Sequence, residues 1–227
     1  MSEWWRDSLA FCRTYWWAIL AVVVPIATLR EFILINLDWY SASPALHDGD
    51  IPLNFLWIYL TLLVFGCFLQ ISLILLVQAI LSKRDTGFAQ RSRRALVMML
   101  PFVLLQMITV LGVVAGALVF IVPGIYVLVR WLLAPYFLLL QKQNALASLK
   151  SSWQYSQGYG WDLFFSLLVT ILISSIPTMF ILRGADAGDV MLSNAVLSIL
   201  SSLLWACSVV LFYRAFDYVQ ANPRFID

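Results

Sequence analysis

Charge is what this chain has least of. Asp, Glu, Lys and Arg make up only 11% of its 227 residues, where an ordinary soluble domain has about 25%. Hydrophobic residues account for 63%, and the mean hydropathy is +0.90. So much apolar surface cannot be hidden in one soluble core of this length, and the bilayer is the expected solvent for most of it. Fourteen basic residues against twelve acidic ones leave a net charge of +2, a balance that indicates no nucleic-acid partner.

Histidine and cysteine are equally scarce. The single histidine, His47, is followed by Asp48 and Asp50 in "HDGDIP", a spacing that fits neither a zinc signature nor a calcium loop. A solvated outer loop is the expectation there. Cys12, Cys67 and Cys207 are far apart with no CxxC, so neither a disulfide framework nor a zinc site is expected. The chain also lacks a serine or cysteine catalytic set, an HExxH, a P-loop and a dinucleotide fingerprint. No catalytic residue, metal or cofactor is expected, and the chain reads as non-enzymatic.

Long apolar runs are what the chain has instead. Runs of about 20 apolar residues are the signature of a membrane-spanning helix. Six occur, at Tyr15–Leu37, Phe55–Leu81, Ala95–Val119, Ile125–Leu140, Leu163–Leu182 and Val190–Phe216. The fold class expected is therefore all-α: a polytopic membrane helical bundle of three hairpins forming one integral membrane domain over residues 1–227. The first run, "YWWAILAVVVPIATL", is too long for a signal-peptide core and has no small-residue cleavage site after it. It reads as a retained span.

The loops orient the bundle. "SKRDTGFAQRSRR", residues 82–94, carries Lys83, Arg84, Arg91, Arg93 and Arg94 against the single acid Asp85. The loop after the first span, "DWYSASPALHDGD", has no Lys or Arg. The positive-inside rule puts the basic loop in the cytoplasm together with both termini, where Arg6, Arg13, Arg214 and Arg224 agree. Arg183 in a short outer turn is the one exception. Trp16, Trp17, Trp153, Tyr155, Tyr159 and Trp161 should form an inner aromatic belt, and Trp39, Tyr40, Trp57 and Tyr59 an outer one. Two further segments read as interfacial: residues 1–14, with a stripe of Trp5, Leu9, Cys12 and Trp16, and residues 142–160, with Leu146, Leu149 and Trp153 opposite Lys150.

Polar and small residues inside the spans are the candidate working parts. Gly112 and Gly116 form a GxxxG, and Asn194, Ser198, Ser201 or Ser202, and Ala206 recur at helical spacing in the last span. Both patterns suit close helix packing, or a dimer interface in the case of GxxxG. Gln70, Gln78 and Gln106 are expected to hydrogen-bond between helices. Arg30 and Glu31 are adjacent, about 100° apart around a helix, so simple pairing between them is not expected. Glu31 could instead meet Arg130.

Arg130 and Trp131 stand inside "IVPGIYVLVRWLLAP". A charge at bilayer depth is costly, which marks Arg130 as a working part unless it reaches water. With Pro123 and Gly124 forming an outer turn, Arg130 lies six residues, or roughly 9 Å, below it and can snorkel outward. Pro135 should kink the returning helix and free a carbonyl near Trp131 that then needs a donor. Arg130, Trp131 and Glu31 are thus one candidate headgroup or intramembrane polar site, and Lys83, Arg84, Arg91, Arg93 and Arg94 a candidate anionic-lipid surface.

The block "VPGIYVLVRWLLAPYFLLLQKQNALASLKSSW" resembles the YciC family of bacterial inner-membrane proteins. The likeness lies in the Val-Pro-Gly-Ile turn, Leu133-Ala134-Pro135, and Ala147, Ser148, Ser151 and Ser152. "FCRTYW" near the start and "LSNAVLSILSSLL…LFYRAFDYV" near the end extend it over most of the chain. More distantly, the chain is similar to the membrane domain attached to some bacterial glycerophosphodiester phosphodiesterases. The YciC branch is apolar where Arg130 stands, whereas the distant branch carries the arginine; Gln141 replaces an acid frequent at its position. The resemblance implies a multi-helix inner-membrane protein of unassigned activity, and it carries over no catalytic residue. The expected partners are membrane phospholipids. A protein partner bound by a scaffold, a homo-oligomer, or a solute carried by a small transporter are the alternatives.

Overall fold

A computed structural model describes residues 3–36, 53–83, 87–183 and 190–223. Ten helices follow one another among them: α1 (Glu3–Thr14), α2 (Trp16–Asn36), α3 (Leu53–Leu81), α4 (Phe88–Val97), α5 (Met99–Val119), α6 (Ile121–Trp131), α7 (Ala134–Leu140), α8 (Ala145–Tyr155), α9 (Gly160–Arg183) and α10 (Val190–Ala221). The described residues contain no strand. Six helical stretches are long and apolar enough to cross a membrane, the fourth being α6 and α7 together. The protein is an all-α, multi-pass membrane bundle.

The three expected hairpins are present as α2–α3, α5–α6 and α9–α10. α10 is the spine, packing against α9, α1, α2 and α3. At 1.5 Å per residue, α3 and α10 are about 44 and 48 Å long, more than a hydrocarbon core of about 30 Å. Their overhang makes room for α1, α4, α7 and α8 beside them. Much of the core lies where α1 and α7 pack beside the C-terminal half of α10. Tyr136 and Phe137 of α7 are buried against Phe216 and, for Tyr136, Tyr213, and the Tyr136 hydroxyl donates to the Val209 carbonyl at 2.9 Å. α5 is the least covered of the six spans.

Several local expectations need correcting. The third span begins at Met99, because Ala95 belongs to α4 and the helix is interrupted at Met98. Much of the basic "loop" is therefore the helix α4. The turn between α5 and α6 is not Pro123–Gly124 but the single extended residue Phe120 (φ −160°, ψ 154°). Pro123 falls in the first turn of α6, where a missing N–H leaves no bond unmade. Pro135 likewise opens α7 after a break at Leu132–Leu133.

α1 and α8 leave much of their apolar stripes on the outside and turn another face to the bundle. α1 buries Trp4, Ser8 and Phe11, leaving Leu9 and the nearby Trp16 exposed. α8 buries Ser148, Leu149 and Ser152 and exposes Leu146. In lipid an apolar side chain gains little by turning inward, so on α8 the small Ser148 and Ser152 take the inner face, whereas α1 packs Trp4 and Phe11 there. Trp16, Trp17, Trp161, Trp57 and Tyr59 are exposed as membrane anchors. Tyr159 is not: it is buried between Trp4 and Tyr218, with its hydroxyl on the Asn222 carbonyl at 2.6 Å. Trp39, Tyr40, His47, Asp48 and Asp50 lie outside the described residues.

The GxxxG serves the chain itself. Gly112 faces the Trp131 ring, and a Cβ on Gly116 would stand 3.0 Å from the Gly124 backbone. Both glycines bring α5 onto α6. Cys67 is buried, Cys12 half-buried and Cys207 exposed. Cys12 and Cys207 are both free, and the Cys207 thiol beside Cys12, with burial, raises the Cys12 pKa well above the ordinary thiol value.

Candidate functional site

Arg130 is built into a junction between α6 and α8. Its side chain points back along the helix, as long side chains in helices do, and donates through Nε (3.0 Å) and Nη2 (2.8 Å) to the Tyr126 hydroxyl one turn earlier. Nη1 reaches Ser156 Oγ at 3.4 Å. The guanidinium also sits 5.0 Å from the Tyr126 ring centroid and 5.6 Å from that of Trp153. All these partners are neutral, and Arg130 takes part in no salt bridge among the described residues. It is half-buried, a cation held by hydroxyls and aromatic faces.

The freed carbonyl expected near Trp131 is there, one residue earlier. The helix breaks after Trp131, and the Arg130 carbonyl accepts Ser152 Oγ at 2.6 Å and Ser156 Oγ at 3.5 Å. Ser152 and the capping Ser156 therefore supply the donors that the broken helix lacks, while Ser148 bonds back to the Asn144 carbonyl at 2.9 Å. Ser152→Ala is expected to lower stability by about 1–3 kcal/mol by leaving that carbonyl underbonded. A denaturation series in detergent reads this directly, and an unchanged midpoint would mean that Ser156 suffices alone.

This junction also moves Arg130. It stands ten residues past the break at Phe120, about 15 Å along the helix, not six residues past a Pro-Gly turn. Ser156, beside it, leads through one tight turn to Tyr159 (Tyr159 N–H to Ser156 carbonyl, 3.2 Å), which is bonded to Asn222 near the end of α10. Arg130 is thereby tied, through Ser156 and Tyr159, toward the end of α10, with its guanidinium held by Tyr126 and Ser156. Trp131 meets Trp153 edge-on at 6.4 Å and packs on Gly112.

Glu31 is elsewhere. It pairs with its neighbour Arg30, which donates to Glu31 Oε1 from Nε (3.0 Å) and Nη2 (2.6 Å). Ser198 of α10 completes the cluster, accepting from Arg30 Nη2 at 2.7 Å and donating to Glu31 Oε1 at 2.6 Å. Arg30 Nη2 also lies 3.3 Å from Ser202 Oγ. The hundred-degree offset between adjacent residues is overcome because both flexible side chains converge on one hydroxyl of the next helix. Apolar surroundings make pairing the favoured state of two charges.

The basic segment divides. Arg91 and Arg94 are half-buried at i, i+3 on one face of α4, while Arg93 and Lys83 are exposed and Arg84 lies outside the described residues. Arg94 Nη2 reaches the Leu139 carbonyl at 3.4 Å. Leu75, Gln78, Ala79 and Ser82 of the α3 end face Gln90, Arg91 and Arg94 across a cavity of about 160 Å³. Of the three glutamines expected to bond between helices, Gln78 lines this cavity; Gln70 and Gln106 are half-buried, with no side-chain hydrogen bond among the described residues.

Set beside protein-family models, curated proteins and solved structures, the chain matches none of them. The site must be read from its own chemistry. Among the described residues no group of His, Cys, Asp and Glu could hold a metal ion. What the chain offers is fixed cations at one end of a membrane bundle. Sequence reasoning missed Tyr126, Ser152, Ser156, Ser198 and Ser202 as partners of the charges. The recurrence of Ser148, Ser152 and Ser156 every fourth residue was the signal available.

Proposed function

We propose that this multi-pass membrane protein engages anionic phospholipid headgroups at its terminus-bearing end, in a lipid-handling role that is non-enzymatic. The supporting observation is Arg130: a half-buried guanidinium whose partners among the described residues are all neutral, flanked by Tyr126 and Trp153. A phosphate oxygen is the natural counter-charge for such a group, and exposed apolar side chains along α5 and α6 offer acyl chains a surface beside it. The positive-inside pattern supports a cytoplasmic position for this end, and the resemblance to YciC proteins supports a bacterial inner membrane.

The test is the lipid that copurifies with the chain. Extraction and mass spectrometry of detergent-purified wild type should return anionic phospholipid at a fixed molar ratio, and Arg130→Ala should lose most of it. Arg130→Lys should retain an intermediate amount, since the charge remains but the planar fork does not. Equal lipid content in wild type and Arg130→Ala would remove Arg130 from the proposal.

A further inference from the structure

The cavity between α3 and α4 has a chemistry that the basic segment's part in orienting the chain does not require. Positive-inside orientation needs cations near the membrane, not cations gathered around a hollow. Here Leu75, Gln78, Ala79 and Ser82 recur at i, i+3, i+4 and i+7 on α3 and so form one stripe. Gln90, Arg91 and Arg94 face them from α4. Among the described residues the lining thus holds two guanidinium groups, two amides and a hydroxyl on a small apolar floor, and no carboxylate.

One donor is left over. Arg91 Nε is buried and has no hydrogen-bond partner among the described residues. A buried, unbonded N–H on a charged group is costly, and a bound acceptor would relieve it. Arg94 uses one Nη for a 3.4 Å contact with the Leu139 carbonyl, and a guanidinium has five N–H donors. Gln90 and Arg91 also fall in the first turn of α4, whose N-terminal cap Gly87 supplies no side-chain bond. The partial positive charge of that turn adds to theirs. The cavity is large enough for a tetrahedral anion with water beside it.

We propose that this cavity binds a phosphate group, carried either by a phospholipid headgroup or by a soluble phosphate. Arg91 clamps two of its oxygens, Arg94 supplies a second cation, and Gln78, Ser82 and Gln90 complete the donor set. The site is independent of Arg130 and shares no residue with it, so either can fail alone.

The full chain is reconstituted in nanodiscs of purely zwitterionic lipid and titrated with inorganic phosphate by isothermal calorimetry, with chloride at equal ionic strength as control. In parallel, binding of an anionic phospholipid to the detergent-solubilised chain is followed by native mass spectrometry. Saturable binding in the phosphate arm identifies a soluble phosphate, and binding in the lipid arm alone identifies a headgroup. Either is expected to weaken at least tenfold in Arg91→Gln and to be unchanged in Arg93→Gln, which removes the same charge from the exposed face. Gln78→Leu, which leaves every charge in place, should weaken binding several-fold and serves if Arg91→Gln does not fold. The proposal is overturned if Arg93→Gln weakens binding as much as Arg91→Gln, if chloride reproduces the effect of phosphate, or if neither probe binds saturably.

Discussion

Glu31→Ala is expected to destabilise the fold by about 3–5 kcal/mol, the usual result of stranding one member of a buried ion pair. The Glu31 and Arg30 side chains are 5% and 16% exposed, so water cannot readily replace the lost partner. Ser198 would lose the acceptor it now donates to, and Arg30 would keep only hydroxyl partners. Glu31→Gln should fall between, since the amide oxygen can still accept from Arg30 and Ser198. Replacing both charges, as in Arg30→Met with Glu31→Met, should be far milder than Glu31→Ala, because no uncompensated charge remains. Unfolding midpoints of the three variants in one detergent check this order. If Glu31→Ala unfolds with wild type, the pair contributes nothing to holding α2 on α10.

The second large effect belongs to the α5–α6 hairpin. A Cβ on Gly124 would stand 2.9 Å from Ala117 Cβ and N and 3.0 Å from the Val113 carbonyl, and one on Gly116 would meet the Gly124 backbone. The obstacles are largely backbone, which cannot swing aside. Gly124→Leu is therefore expected to cost about 3 kcal/mol, the upper part of the usual range for overpacking, and to part α5 from α6. Since α6 carries Arg130, its lipid should be lost as well. Gly66→Leu is the control: nothing lies within 4 Å of its would-be Cβ, and the change should stay within about 0.5 kcal/mol. Limited proteolysis near Phe120 alongside unfolding midpoints separates the two. Equal behaviour of Gly124→Leu and Gly66→Leu would mean the hairpin is not closely packed.

The six spans were legible because crossing a bilayer demands an apolar run that no other constraint can disguise. Their breaks were less so. Pro123–Gly124 looks like punctuation, yet proline costs a helix nothing in its first turn, and the turn was left to Phe120, which carries no local signal. The bundle-facing sides of α1 and α8 had no such signal: Leu9, Trp16 and Leu146 of the apolar stripes stay outside, while Ser152 and the capping Ser156 turn inward to bond the Arg130 carbonyl freed at the break after Trp131. The need for that donor could be inferred from Pro135; its source, twenty-two residues along the chain, could not. Arg30 and Glu31 were misjudged because helical geometry was applied to their Cβ atoms, while their long side chains met at a third residue on another helix.

The central claim is that a fixed cation with only neutral partners makes this bundle select lipids by headgroup charge. Native mass spectrometry of delipidated wild type, titrated with an equimolar mixture of one anionic and one zwitterionic phospholipid of matched acyl chains, tests it most directly. The anionic lipid should give discrete, saturable adducts at concentrations where the zwitterionic one gives few, and Arg130→Ala should erase the difference at one of the adduct positions. Equal adducts of both lipids on the wild-type chain would contradict the account.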